Sequence, residues 1–322
     1  MIFPTPPASA PLELEPAHRA RRRVFVKLWP WLVALAILAF LFARIPRTAL
    51  VSAFAAGPWS LLGLYTLGQW LIILVADAYA ISVSLAVTGF RQRFSRIFLA
   101  RGATYILGIL NYALGQGALG LYLQRSGVTA LKAAGNVLFM MIVNLGVLLV
   151  IASGALLAGG SPKPAHFSLS PLFSGLWLAL ILYLAAIVLQ PLGLWNSQLL
   201  APLRQARLMG HLRAMAARFP HILFLVLAYW GALRLWGIPV PLSQGLALVP
   251  VVLLINALPI TPLGLGTTQA ALVWLFSPYV PPAASAVPAA VVLAFSLSYY
   301  FFGIIAQALL GLWCFQKIRR LS

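Results

Sequence analysis

The chain has 322 residues, of which 62% are hydrophobic and 8% charged, and its formal net charge is +19. One soluble domain of this length cannot hide so much apolar sequence, which excludes a water-soluble globular protein. The cations stand in short clusters between apolar runs, where they meet anionic headgroups and set orientation, so the charge does not point to nucleic acid.

Residues 1–27 are rich in Pro, Ala and Arg and are expected to form a disordered, basic N-terminal tail. The first apolar run, WLVALAILAFLFA, follows this stretch without a small-residue cleavage site and reads as a first span. Hydropathy gives six full spans, at about 28–44, 59–87, 131–158, 171–195, 219–237 and 284–314. Residues 28–316 then form a single transmembrane domain, and 317–322 a basic C-terminal tail. The fold class is an all-α polytopic membrane protein.

Two further apolar stretches, about 102–122 and 243–277, are broken by Gly and Pro. They carry NYALGQGALG from Asn111 and NALPITPLGLG from Asn256, two strings built alike: Asn, Ala-Leu, then a Gly-rich turn. Backbone that leaves the helix at membrane depth must be buried in protein or line a wet cavity. Each stretch is therefore read as a re-entrant hairpin.

With the N-terminus in the cytoplasm, 18 of the 22 Lys and Arg fall on inside segments, which include Arg204, Arg207, Arg213 and Arg218. The other four, Arg44, Arg47, Lys163 and Arg234, fall outside. The positive-inside rule favours this split and places both termini in the cytoplasm. Each half then has three crossings and one hairpin. An odd number turns the second half (171–314) upside down relative to the first (28–158), which is an inverted repeat.

Only three acids occur, and Asp77 alone lies within a span. A lone carboxylate there costs about 2.5–3.5 kcal/mol on insertion scales, so it should pair or titrate. Arg101 and Arg125, flanking the first hairpin, are the expected partners. The pair would serve either as a proton or headgroup-amine site or as a structural clasp.

Asn111, Gln116, Asn256, Thr261, Thr267, Thr268 and Gln269 gather around the two breaks. They would hydrogen-bond a polar headgroup or satisfy freed backbone groups. Asn136 and Asn144, two helical turns apart, would line the same cavity or hold helices together. Cys314, the single cysteine, reads as a membrane-buried apolar residue. No HExxH, GxSxG, Walker loop, GxGxxG or CxxC occurs, so no enzyme activity, metal or cofactor is expected.

The strings LGILNYALGQGALGLYLQRSGVTALKAAG and NALPITPLGLGTTQAALVWLF resemble the lysylphosphatidylglycerol synthase transmembrane region, a family of flippase-like membrane proteins. Arg125 and Gly127 match the first motif of that family. Pro259 to Gly266 match the second, with Gln269 near the place of its usual Glu. No soluble aminoacyl-transferase domain accompanies them.

The resemblance implies translocation or accommodation of a lipid or polyprenyl-linked headgroup across a bacterial-type inner membrane. The expected partners are membrane lipids with anionic or phosphate-bearing headgroups. The expected headgroup-binding residues are Asp77, Arg101, Asn111, Gln116, Arg125, Asn256, Thr261 and Gln269. Two alternatives stand beside this reading. One is a non-catalytic subunit that presents lipid to a separate transferase; the other is an intramembrane glycosyl or acyl transferase using Asp77.

Overall fold

The computed structural model describes residues 17–159, 170–189, 196–257, 261 and 264–320. Its elements in chain order are α1 (Ala17–Arg44), α2 (Arg47–Ala55), α3 (Trp59–Val87), α4 (Phe94–Leu110), α5 (Tyr112–Arg125) and α6 (Ala130–Leu157). There follow α7 (Ser170–Leu189), α8 (Ala201–Leu235), α9 (Leu242–Ala257), α10 (Thr267–Phe276), a short 3-10 turn at Ser277–Tyr279 and α11 (Pro288–Arg319). Among the described residues there is no strand.

Helices α3, α6, α8 and α11 are long and apolar enough to cross a membrane, and the bent pair α1–α2 raises the number to five. The stretches of α7 and α9 that pass the same apolar test are shorter. Large apolar side chains face outward as well as inward. Leu61, Leu64, Leu71 and Val75 form an exposed stripe along α3, and Leu178, Ile181 and Leu182 do the same on α7. Water would not tolerate such continuous apolar surface, and a bilayer requires it. The chain is a multi-pass membrane protein.

Several boundaries differ from those read in the sequence. Residues 17–27, expected in the disordered tail, are helical and continue into the first apolar run. The chain then turns by 95° where Pro46 precedes the short α2, because a proline disfavours helical backbone in the residue before it. Helix α8 begins at Ala201, so the segment with Arg204, Arg207, Arg213 and Arg218, read as a cytoplasmic loop, is helix. Its backbone breaks once, at Arg207 (φ 52°), and Pro220 leaves the carbonyl four residues earlier without its helical donor. The expected span 171–195 is helical to Leu189. The expected outside position Lys163 and Pro259 of the second motif lie outside the described residues.

The two broken segments form. Between α4 and α5 only Asn111 leaves the helix, with extended backbone (φ −167°, ψ 138°). Gly127 then ends α5 in the left-handed region (φ 92°) while the Val128 N–H donates to the Leu123 carbonyl at 3.1 Å. That closure suits glycine and accounts for the Arg-x-Gly spacing of the motif.

Early and late elements of the chain pack on one another. α3 packs on α8. α6 packs on α8 and α9, and α11 packs on α3 and α4. The α4–α11 crossing is close because Gly102 meets Cys314 and Gly311 meets Ile106.

Two large apolar clusters result. One joins Val147–Ala152 of α6, Ile222–Leu233 of α8, Leu248–Val252 of α9 and Ala290–Phe295 of α11. The other joins Ala78–Leu85 of α3, Leu119 and Leu123 of α5, Ala133–Val143 of α6 and Ala214 of α8. Between them, near the middle of α6 and α8, lie Asn144 and Arg218.

The arms of the first hairpin touch at glycine. A Cβ on Gly115 would lie 2.9 Å from the Gly108 Cα, whereas one on Gly117 would meet nothing within 4 Å. Gly115→Leu is therefore expected to destabilise the chain by about 1–3 kcal/mol through overpacking. Gly117→Ala is expected to leave stability unchanged or slightly raised. Thermal unfolding in detergent checks the pair, and equal effects would contradict this packing.

Candidate functional site

The site begins with a buried carboxylate. Asp77 on α3 is 3% exposed. Its Oδ2 accepts a hydrogen bond from Nε of Arg101 on α4 at 2.5 Å, and its Oδ1 accepts one from Arg218 on α8. Arg218 is among the most deeply buried side chains of the protein. One acid therefore fastens three helices.

The expectation of a paired Asp77 holds for Arg101 and is corrected for Arg125. Arg125 is exposed in the last turn of α5, where a cation complements the helix C-terminus. The second partner is Arg218, 141 residues away in sequence.

Arg218 also donates to Nδ1 of His221 at 3.3 Å. A guanidinium has no acceptor, so this contact leaves His221 Nδ1 unprotonated and the ring neutral. Arg101 lies over the Tyr105 ring, 5.2 Å from its centroid. The Arg218 Nε and the Tyr105 hydroxyl are buried and have no hydrogen-bond partner.

These groups line a cavity of about 520 Å³, a size that suits a small ligand or headgroup. Asn111 and Gln116 of the first broken segment also line it, as do Asn256, Thr261, Thr268 and Gln269 of the second. Seven of the eight expected site residues thus face one space, and Arg125 does not. The two asparagines of α6 separate: Asn144 lines the cavity, while Asn136 accepts from Thr88 at 2.5 Å and joins α6 to α3.

Local hydrogen bonds hold both breaks open. Asn111 caps α5 by accepting the Ala113 N–H at 2.7 Å. At α10 the cap comes from within the helix, where Gln269 Oε1 accepts the Gly266 N–H at 2.7 Å. Thr268 donates to Asn256 Oδ1 at 3.3 Å across the turn, and Gly264 (φ 65°) lies so close to Asn256 that any Cβ would collide with its amide oxygen. Thr267 donates to the Gly264 carbonyl, which makes Thr261 the donor to Thr267 at 3.1 Å. These polar side chains satisfy backbone and present the cavity wall at once.

Arg218, His221 and Tyr105 escape the sequence reading. The available signal was Arg218 and His221 three residues apart beside Pro220, a spacing that puts both on one helical face. Hydropathy started the span one residue after Arg218 and so hid it. Among the described residues no three His, Cys, Asp or Glu side chains come together as metal ligands.

Comparison with known proteins finds no matching family model, no matching curated protein and no matching solved structure. The site is read from its geometry.

Breaking a buried ion pair from one side costs about 3–5 kcal/mol, because the other charge is left unpaired. Asp77→Asn and Arg218→Gln are each expected to lower stability by about that much, and together by clearly less than the sum. Denaturant unfolding of the two single variants and the double variant tests this. Additive losses would mean that the two side chains do not act as one unit.

Proposed function

We propose that this chain accommodates the headgroup of a lipid or polyprenyl-linked lipid in its central cavity and moves it between leaflets. The observation that carries the reading is the polar, cationic cavity bounded by both broken segments at mid-length of the long helices. Irregular backbone at that depth serves transport-type sites in membrane proteins. The resemblance of the two motifs to flippase-like proteins belongs to this proposal. So do a bacterial-type inner membrane, cytoplasmic termini, six crossings and two re-entrant hairpins.

The inverted repeat is part of it too. The reciprocal packing of α6 on α9 and α11 on α4 supports two related halves, as does the order of helices once the bent pair α1–α2 is counted as one: two, a broken pair and a final helix. The transferase alternative is disfavoured, because each Asp77 oxygen is already held by a guanidinium and the acid is poorly placed to act as a base.

Reconstitution into vesicles tests the function. A fluorescent anionic phospholipid should exchange between leaflets several-fold faster with the protein than without it, read by loss of fluorescence to an external quencher. No acceleration, with lipid still bound by the protein, would favour the subunit that presents lipid to a separate transferase. For topology, Lys163→Cys should label only from outside and Arg320→Cys only from inside, in a Cys314→Ala background. Labelling of both from one side would rule out the six-crossing arrangement.

A further inference from the structure

Helix α8 has a break that its local sequence does not require. Sharp bends in helices follow a proline, a pair of small residues or an inserted group. The break in α8 lies at Arg207, well before Pro220, with φ 52° and ψ 178°. Such backbone is almost confined to glycine. Among the described residues Arg207 is the only one besides glycines with a positive φ. The bend is therefore held by the contacts around it and not by the chain itself.

Those contacts divide α8 into two bodies. Residues 199–206 form a strap across the ends of two other helices. Gln205 covers Gly89 just beyond α3, and Leu199 and Pro202 press on Gly135 of α6; at both glycines a Cβ would collide. Beyond the joint, α8 carries Arg218 to Asp77 and lines the cavity with His221, Ile222 and Leu225. A clasp closes the joint. His211 Nδ1 donates to the Arg207 carbonyl at 2.6 Å, which leaves Nε2 to accept the Tyr183 hydroxyl of α7 at 2.7 Å. Phe139 of α6 meets the buried His211 ring edge-on, with centroids 4.9 Å apart.

We infer that Arg207 is the joint of a two-position helix, held bent by the Tyr183–His211 clasp, and that relaxing it to ordinary helix swings α8 and draws Arg218 away from Asp77. The lever is long enough. Arg218 lies eleven residues past the joint, about 16 Å along the axis, so a swing of about 10° moves it by about 3 Å. That displacement takes a hydrogen bond out of reach. The bent position gains the clasp, the seat of the strap on Gly89 and Gly135, and the Asp77 pair. The straight position gains relaxed backbone at Arg207. Packed elements switch between such positions and do not deform continuously. A ligand or partner that binds one position better shifts the balance. The device does not depend on the identity of the cargo.

Two substitutions at the joint and one at the clasp test this in the full chain, in a Cys314→Ala background and maltoside detergent. Gly suits the bent position and Ala the straight one, so Arg207→Gly should melt several degrees above Arg207→Ala. In an ordinary helix interior the order is the reverse. Spin labels at Ala201→Cys and Ala216→Cys, one on each side of the joint, should give a single distance in the otherwise unaltered chain and in Arg207→Gly. Tyr183→Phe, which removes only a hydroxyl, and Arg207→Ala should each add a second distance, close to the roughly 22 Å of an uninterrupted helix. Leu225→Cys, without the spin-label cysteines, should react with a water-soluble maleimide several-fold faster once Tyr183→Phe is added.

Arg207→Ala melting above Arg207→Gly would make residue 207 ordinary helix and overturn the joint. One unchanged distance in both Tyr183→Phe and Arg207→Ala would make the bend a fixed kink. A second distance with no change in Leu225→Cys reactivity would uncouple the strap from the cavity, and would overturn the device as well.

Discussion

The arrangement depends on one carboxylate shared by two guanidiniums. Asp77 is the only acidic side chain outside the N-terminal stretch, and it is buried. Its two oxygens draw α4 and α8 onto α3. An ion cluster of this kind gives little net stability, because desolvation offsets its Coulomb attraction. It does fix register. Sliding α8 by one turn would leave the Arg218 guanidinium without its carboxylate between two apolar clusters, so the cluster selects a single packing of these helices.

The cavity follows from that register. The polar layer separates the two apolar clusters, and the broken segments reach it from both halves. Each break is stabilised from within, through Asn111 on one side and through Gln269, Thr268 and Asn256 on the other. The breaks are therefore built features of the wall and not frayed helix ends. Their amide and hydroxyl groups are neutral and line the cavity. The guanidiniums of Arg101 and Arg218 belong to the same cavity.

Much of this was legible in the sequence, for physical reasons that can be named. The 59–87 span coincides with α3, and 131–158 differs from α6 by a single residue at each end, because bilayer thickness sets a hydropathy period that a window detects. The breaks at Asn111 and around Gly264 were visible because Gly, Pro and Asn are out of place in a plain span. Arg101 could be paired with Asp77 because the two lie on successive helices. Arg218 could not: a partner 141 residues away leaves no local pattern, and four arginines between 204 and 218 mask the apolar residues in the first half of α8. Gln269, read as an expected headgroup-binding residue near the place of a family Glu, proves to be a helix cap as well as part of the wall. Local chemistry of that kind is invisible until the turn is folded.

The central proposal is that the cavity lined by Arg101 and Arg218 holds an anionic lipid headgroup. Native mass spectrometry of the protein released from membranes tests it most directly. The account predicts about one retained phospholipid per chain, anionic in class, that is lost when Arg218 is replaced by Gln although the chain still folds. Retention of neutral or cationic lipid in its place, or the same anionic lipid held equally well by Arg218→Gln, would contradict it.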